Sequence, residues 1–299
     1  MGYEWLALAA ASLWAIAALI SAKPARHLGA LTYSRWRMFL VSLMLGTMSL
    51  LTGGWQTLPS NAIPLLAISG LIGIFVGDTA LFMCMNRLGP RRSALLFSCH
   101  ALFSALLGIW LFSEHLTNWR LLGAILVLAG VMLAILFGRD TQHSQWEQIR
   151  GNLMLGISLG LTAAFCQSVG AIIAKPVMIS GEVDAVSASG IRMGSALLAH
   201  CALRLVRLPL AMPLNPINRQ ILAMIATNGF LAMGLGMTLI LMALRHGEVG
   251  MVAILSATTP VILLPLLWWH SGERPSLSAW AGAVTATLGM TLILGGNGH

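Results

Sequence analysis

Ten runs of about 20 mainly apolar residues fill almost the whole chain, at residues 4–22, 33–52, 62–86, 91–112, 120–138, 151–174, 186–206, 219–243, 249–270 and 278–295, with short connections between them. Backbone N–H and C=O groups find no partner in hydrocarbon, so a spanning segment must be an α-helix or a strand of a closed barrel. These runs are continuously apolar and lack the alternation of a barrel strand, which leaves helices. Charged residues make up 9% of the chain and hydrophobic residues 58%, against about 25% charged residues in an ordinary soluble domain. A soluble core is excluded. The chain reads as an all-α integral membrane protein with ten transmembrane helices, and no interval is long enough for a separate soluble domain.

The pattern runs through twice. Ile20-Ser21-Ala22-Lys23-Pro24 returns as Ile172-Ile173-Ala174-Lys175-Pro176, and Ser34-Arg35-Trp36-Arg37-Met38 as Ser189-Gly190-Ile191-Arg192-Met193. Arg87-Leu88-Gly89 is echoed by Arg245-His246-Gly247, Ser113-Glu114 by Gly272-Glu273, and Gly123 and Gly130 by Gly282 and Gly289. The expected units are a first repeat over 1–138, a linker over 139–150 and a second repeat over 151–299. Each repeat holds five runs, an odd number, so the second copy starts from the opposite side of the membrane. The duplication is therefore expected to be inverted, with a pseudo-twofold axis in the membrane plane.

Basic residues set the orientation. Of the 17 Lys and Arg residues, all but Arg120, Lys175, Arg192 and Arg245 fall in or beside the odd-numbered connections. That places those connections in the cytoplasm and both termini on the non-cytoplasmic side of a plasma (inner) membrane. The first run has Glu4 and no Lys or Arg before its apolar core, so it reads as a retained span and not a cleaved leader. Pro209, Pro213 and Pro216 mark the connection after the seventh run as a stiff loop. The net charge of +8 is dispersed and not interleaved with stacking aromatics, so nucleic acid is not an expected partner. Cys84, Cys99, Cys166 and Cys201 lie inside apolar runs without CxxC or Cys/His spacing; they read as small packing residues, with no metal and no cofactor implied.

The motifs Gly77-Asp78-Thr79-Ala80-Leu81-Phe82, Arg87-Leu88-Gly89-Pro90-Arg91-Arg92, Ser113-Glu114-His115-Leu116, Leu122-Gly123-Ala124 and Ala129-Gly130-Val131 follow in order. The second half repeats the order as Gly247-Glu248-Val249-Gly250, Thr259-Pro260-Val261, Gly272-Glu273-Arg274 and Gly282. Together they resemble an EamA domain of the drug/metabolite transporter superfamily, over essentially the whole chain. The resemblance implies two inverted five-helix bundles around a central cavity, alternating access, and export of amino acids or similar small metabolites without ATP. Two departures stand out. The first run lacks the membrane-embedded glutamate of small multidrug pumps, having Trp14 and only Glu4 at its edge; and His100-Ala101 stands where the second half has Thr259-Pro260.

Ionisable groups within a span cost about 2.5–3.5 kcal/mol each on insertion scales and need partners or water. Asp78 is the one acid well inside a run, roughly 12 Å from the cytoplasmic end, and Arg37 enters the second run from that same end. An Arg37–Asp78 pair that fixes packing is the first reading; coupling or gating is the second. His100, near the middle of the fourth run, reads first as a neutral histidine hydrogen-bonded between helices and second as a proton carrier. Arg192 repeats Arg37, but the repeat mate of Asp78 falls at or near Gly236. Arg192 should then reach outward to Glu182 or Asp184, or else meet a substrate carboxylate. Trp14, Gln167, Asn228, Thr258 and Thr259 are polar or amphipathic groups near mid-membrane, in runs that line the cavity by resemblance. Pro260 and Pro265 could loosen the ninth run as a hinge. Glu114 and Glu273 close their runs at opposite faces and read as surface caps or as partners in loop pairing.

The expected activity is secondary transport of a small molecule within the lipid bilayer, with a proton or a counter-substrate as driving partner. An intramembrane enzyme would need a nucleophile and base or a metal cluster, and no HExxH, paired aspartates or GxSxG is present. No GxxxxGK[ST] loop supports nucleotide-driven pumping. A non-transporting scaffold is the remaining alternative, which the full duplication disfavours.

Overall fold

The computed structural model describes residues 2–114, 118–136, 151–206, 212–271 and 276–295. The linker 139–150, Pro209, His115, Leu116, Glu273 and Arg274 lie outside them. Each of the ten apolar runs coincides with a helical unit: α1 (Tyr3–Leu28), α2 (Ala30–Thr52), α3 with α4 (Ala62–Gly70 and Gly77–Leu88), α5 with α6 (Pro90–Ser98 and His100–Phe112), and α7 (Asn118–Leu136) in the first half. The second half has α8 (Leu153–Ile179), α9 (Ala185–Leu205), α10 with α11 (Arg219–Gly229 and Met237–His246), α12 with α13 (Val249–Ser256 and Thr259–Ser271), and α14 (Leu277–Gly295). No strand occurs among the described residues.

Among the described residues six helical stretches are long and apolar enough to cross a membrane, and two shorter apolar helices accompany them. Large apolar side chains stand outward, among them Leu51 (80% exposed), Trp110 (78%) and Leu43 (60%). Such a surface is stable against lipid, not water. The molecule is a multi-pass membrane protein.

Helix ends are set by local chemistry. Between α1 and α2, Gly29 takes φ 84°, and Gly89 repeats that angle between α4 and α5; a side chain would strain either position. In the second half Asn152, Asp184 and Asn218 accept hydrogen bonds from the first turns of α8, α9 and α10, each a cap that stabilises by about 1 kcal/mol. The proline loop described from Met212 folds back on the end of α1, where Asn215 Nδ2 donates to the His27 carbonyl at 2.8 Å and the Leu214 N–H to that of Leu28 at 3.2 Å.

The helices pack through small residues. A Cβ at Gly123 would stand 2.8 Å from the Gly289 carbonyl oxygen, and one at Gly289 would stand 2.6 Å from that of Gly123. A Cβ at Gly130 would likewise meet the Gly282 carbonyl oxygen, at 2.5 Å. The repeat-related glycines thus face one another across α7 and α14, with the register of an antiparallel pair, and backbone contact replaces side-chain contact as in other membrane helix pairs. A second close approach joins Gly73 and Gly170, where a Cβ on either would lie within 3.2 Å of the other's Cα.

Candidate functional site

The third and eighth runs both widen into π-helical turns at their centres, over Leu71–Val76 and Phe230–Gly236. Such turns displace carbonyls from the regular ladder and commonly mark functional sites. Both are flanked by glycines that admit a neighbouring helix: a Cβ at Gly77 would stand 3.2 Å from that of Cys166, and one at Gly236 would stand 2.6 Å from the Trp14 indole nitrogen. Trp14 and Cys166 are themselves repeat mates, so one contact is built twice with different residues. Trp14, half-buried, donates from Nε1 to the Ala232 carbonyl at 2.8 Å, stitching α1 to the widened turn.

Beside the first of these turns lies a polar node. Arg37 pairs with Asp78, both buried. The guanidinium also donates to Asn228 Oδ1 at 3.3 Å, and packs over the rings of Tyr33 at 5.3 Å and Phe82 at 4.7 Å. Both ends of the Asn228 amide are engaged: its Oδ1 also accepts from the Tyr33 hydroxyl at 2.8 Å, and its Nδ2 donates to the Ala17 carbonyl at 2.8 Å. The expected Arg37–Asp78 contact is therefore present, inside a four-residue network that ties α1, α2, α4 and α10 together. Asn228, placed near mid-membrane by sequence, is a member of that network.

Arg192 differs. It is 1% exposed, and its backbone packs against Gly70 while its Nη2 lies 3.4 Å from where a Cβ would stand on Gly73. No ion pair joins it to Glu182 or Asp184 among the described residues. Asp184 instead accepts from the N–H and hydroxyl of Ser187, both at 2.8 Å, capping its own helix. The outward reach expected for Arg192 is replaced by burial.

His100 is buried and packs its ring against Phe97 at 5.1 Å. Its carbonyl accepts from the Ser168 hydroxyl at 2.8 Å, and Ser104 donates to that same hydroxyl at 3.0 Å. The interhelical hydrogen bond expected of its side chain is made by its backbone. Gln167, the residue before Ser168 in α8, is half-buried. Thr258 and Thr259 donate to the Leu255 and Ser256 carbonyls at 2.7 and 2.8 Å, so both hydroxyls serve the break between α12 and α13. That break falls at Ala257–Thr258, just before Pro260, whereas α13 continues through Pro265. The fourth run breaks at the matching place, Cys99, without a proline, so the interruption belongs to the scaffold and Pro260 is not its sole cause.

Glu114 is the largest departure from expectation. It is buried, accepts from the Val249 N–H at 2.7 Å and the Gly250 N–H at 3.2 Å, and pairs with Lys175, which lies over the Phe112 ring at 4.7 Å. A residue read as a surface cap thus closes the start of α12 and links the end of α6 to α8, as a carboxylate at a helix N-terminus favours. Lys175, Tyr33 and buried His200 were not singled out by sequence. His200 stands edge-on to Phe75 at 4.8 Å and 3.4 Å from the Thr79 hydroxyl. The available signals were the retained lysine in the Ala-Lys-Pro repeat and a second histidine inside an apolar run. No cluster of three metal-binding side chains occurs among the described residues.

No curated protein matches the chain. A solved structure described only as "Crystal structure of protein" shares its fold at a TM-score of 0.77, with 17% identity over 97% of this chain and 95% of its own. The profile of the EamA-like transporter family matches residues 1–136 and again 154–295, one match on each side of the linker and each enclosing one π-helical turn. The chain therefore belongs to the EamA-like transporter family, and through it to the drug/metabolite transporter superfamily.

Proposed function

We propose that this protein is a secondary transporter of the cytoplasmic membrane that exports small metabolites by alternating access, with amino acids and related compounds as the first solutes to test. In this reading ten helices cross the bilayer as two inverted repeats, 1–138 and 151–299, around a central cavity, with both termini outside. The family match over both halves carries the proposal. The antiparallel register of the repeat mates α7 and α14 supports inversion, because mates that run oppositely belong to copies threaded oppositely. The matched π-helical turns and matched breaks give each half a bent element on which a rocking motion could turn. Trp14, Asp78, His100, Gln167, Arg192, Asn228, Thr258 and Thr259 remain the residues proposed at or around the cavity, and a proton or counter-substrate is the proposed driver.

Purified protein in liposomes preloaded with each unlabelled amino acid tests this by counterflow of the labelled form. Saturable accumulation that disappears without internal solute is expected for at least one. A flux no higher than in protein-free liposomes across the whole panel overturns the reading.

A further inference from the structure

Among the described residues three buried cations lie within the helical core, Arg37, Lys175 and Arg192. Arg37 has Asp78 and Lys175 has Glu114. Arg192 is the most completely buried, and among the described residues its guanidinium makes no ion pair and no hydrogen bond; its Nε is wholly enclosed without a partner. Nε of Arg37 and of Arg245 share that condition, but their terminal nitrogens are engaged, by Asp78 and Asn228 in one case and by the Val183 carbonyl at 2.6 Å in the other.

Comparison of the two halves shows what is missing. Arg37 and Arg192 occupy the same slot, each packed against the glycine that precedes a π-helical turn, Gly229 and Gly70. Around Arg37 stand Tyr33, Asn228 and Asp78. At the repeat-related positions around Arg192 stand Ala188, Ser69 and Gly236 with Met237, none of which carries a negative charge; the Ser69 hydroxyl donates to the Gly170 carbonyl at 2.6 Å. The slot around Arg192 has the charge and none of the groups that balance it around Arg37. Beside the guanidinium, Gly73 and Gly170 bring two backbones together with no side chain between them.

A buried charge with no protein counter-charge is costly unless something else supplies one. We propose that Arg192 is a binding site for the carboxylate of the transported solute, held by the fork of its terminal nitrogens. This rests on the transport reading above and narrows its substrates to monoanionic carboxylates and zwitterions with a free carboxylate. A monoanionic carboxylate neutralises the guanidinium, and a zwitterion fills its fork while leaving the net charge at one, whereas a phosphate ester of nearly two charges would invert it to net negative.

Thermal unfolding of the purified protein in detergent tests the site independently of flux. The probes are the twenty amino acids with pyruvate and lactate, each beside its carboxamide. Protection by one or more carboxylates and not by the matched amide is expected. Arg192→Met should abolish that protection while unfolding at or above the wild-type temperature, because no protein partner is stranded. Arg192→Lys, which keeps the charge and loses the fork, should weaken half-maximal protection by about 10- to 100-fold. Equal protection by the amides, protection that survives Arg192→Met, or no protection by any carboxylate overturns the assignment. Selective, Arg192-dependent protection without counterflow would sink the transport reading and leave the site standing.

Discussion

Replacing Asp78 by asparagine keeps the size and one acceptor oxygen but removes the charge that faces Arg37. Breaking a buried pair from one side costs about 3–5 kcal/mol, since the remaining charge is stranded. In this protein the stranded guanidinium keeps Asn228 Oδ1 at 3.3 Å and the faces of Tyr33 and Phe82 at 5.3 and 4.7 Å, and a desolvated cation over an aromatic ring retains about 2 kcal/mol of attraction. The loss should therefore sit near the lower end, about 3 kcal/mol. Arg37→Met alone strands the carboxylate, which has no such rings, and should cost more. The double variant Arg37→Met with Asp78→Asn removes both charges, and the Asn228 Oδ1 still receives the Tyr33 hydroxyl at 2.8 Å. It should be more stable than either single variant, so that the two costs fall short of additive by more than about 3 kcal/mol. Equilibrium unfolding in mixed micelles titrated with SDS reads all four proteins. An Asp78→Asn variant within about 0.5 kcal/mol of the wild type, the range of an ordinary surface change, or costs that simply add in the double variant, would refute the paired-charge account of this node. If the stable double variant also transports, the pair serves packing; if it is folded and inert, the charges serve the cycle.

Three further perturbations probe the other joints. Glu114→Ala leaves the Val249 and Gly250 N–H groups and Lys175 without their acceptor, whereas Glu114→Gln keeps an acceptor oxygen; the alanine variant should be less stable by at least about 1 kcal/mol in the same titration, and equal costs would remove the capping role. Gly170→Ala puts a Cβ 2.8 Å from the Gly73 Cα and should destabilise by about 1–3 kcal/mol through overpacking, while Gly194→Ala, with open space around it, should not. Trp14→Phe removes the indole bond to the Ala232 carbonyl, which keeps the Met237 N–H, and should cost about 0.5–1.5 kcal/mol, with faster amide exchange in the Phe230–Gly236 turn; unchanged exchange would count against the stitch.

What could be read from the sequence followed from strong, one-dimensional constraints. Apolar runs of span length can only be helices, and all ten coincide with helical units. The Arg37–Asp78 pair could be read because two opposite charges entering a membrane from the same end have few other solutions. The family motifs and the duplication were legible for the same reason, being order and spacing alone. What escaped depends on helix rotation or on backbone detail. Nothing in Leu71-Ile72-Gly73-Ile74-Phe75-Val76 announces a widened turn, although the glycines at 70, 73 and 77 and at 229, 234 and 236 mark where backbones would have to approach. The break at Cys99 has no proline to signal it. Glu114 was misplaced because a residue at the end of an apolar run looks exposed until the start of α12 is laid against it.

The two halves agree in backbone contacts and disagree in polar ones, and the difference has a physical logic. Gly70 against Arg192 and Gly229 against Arg37, or Gly77 against Cys166 and Gly236 against Trp14, are shape contacts that tolerate substitution on one side as long as the glycine remains. A polar node cannot drift that way, because each buried donor or acceptor lost leaves another unsatisfied. Around Arg37 the node is complete, with Tyr33, Arg37, Asp78 and Asn228 all bonded. Around Arg192 the repeat-related Ala188, Ser69 and Met237 supply no counter-charge. An arginine with only a structural purpose would have been the cheapest of the four to lose, since replacement by an apolar side chain of similar volume would end its desolvation cost. Its presence in a slot stripped of partners is therefore the polar asymmetry that packing does not explain, and it points to a counter-charge that comes and goes with the solute.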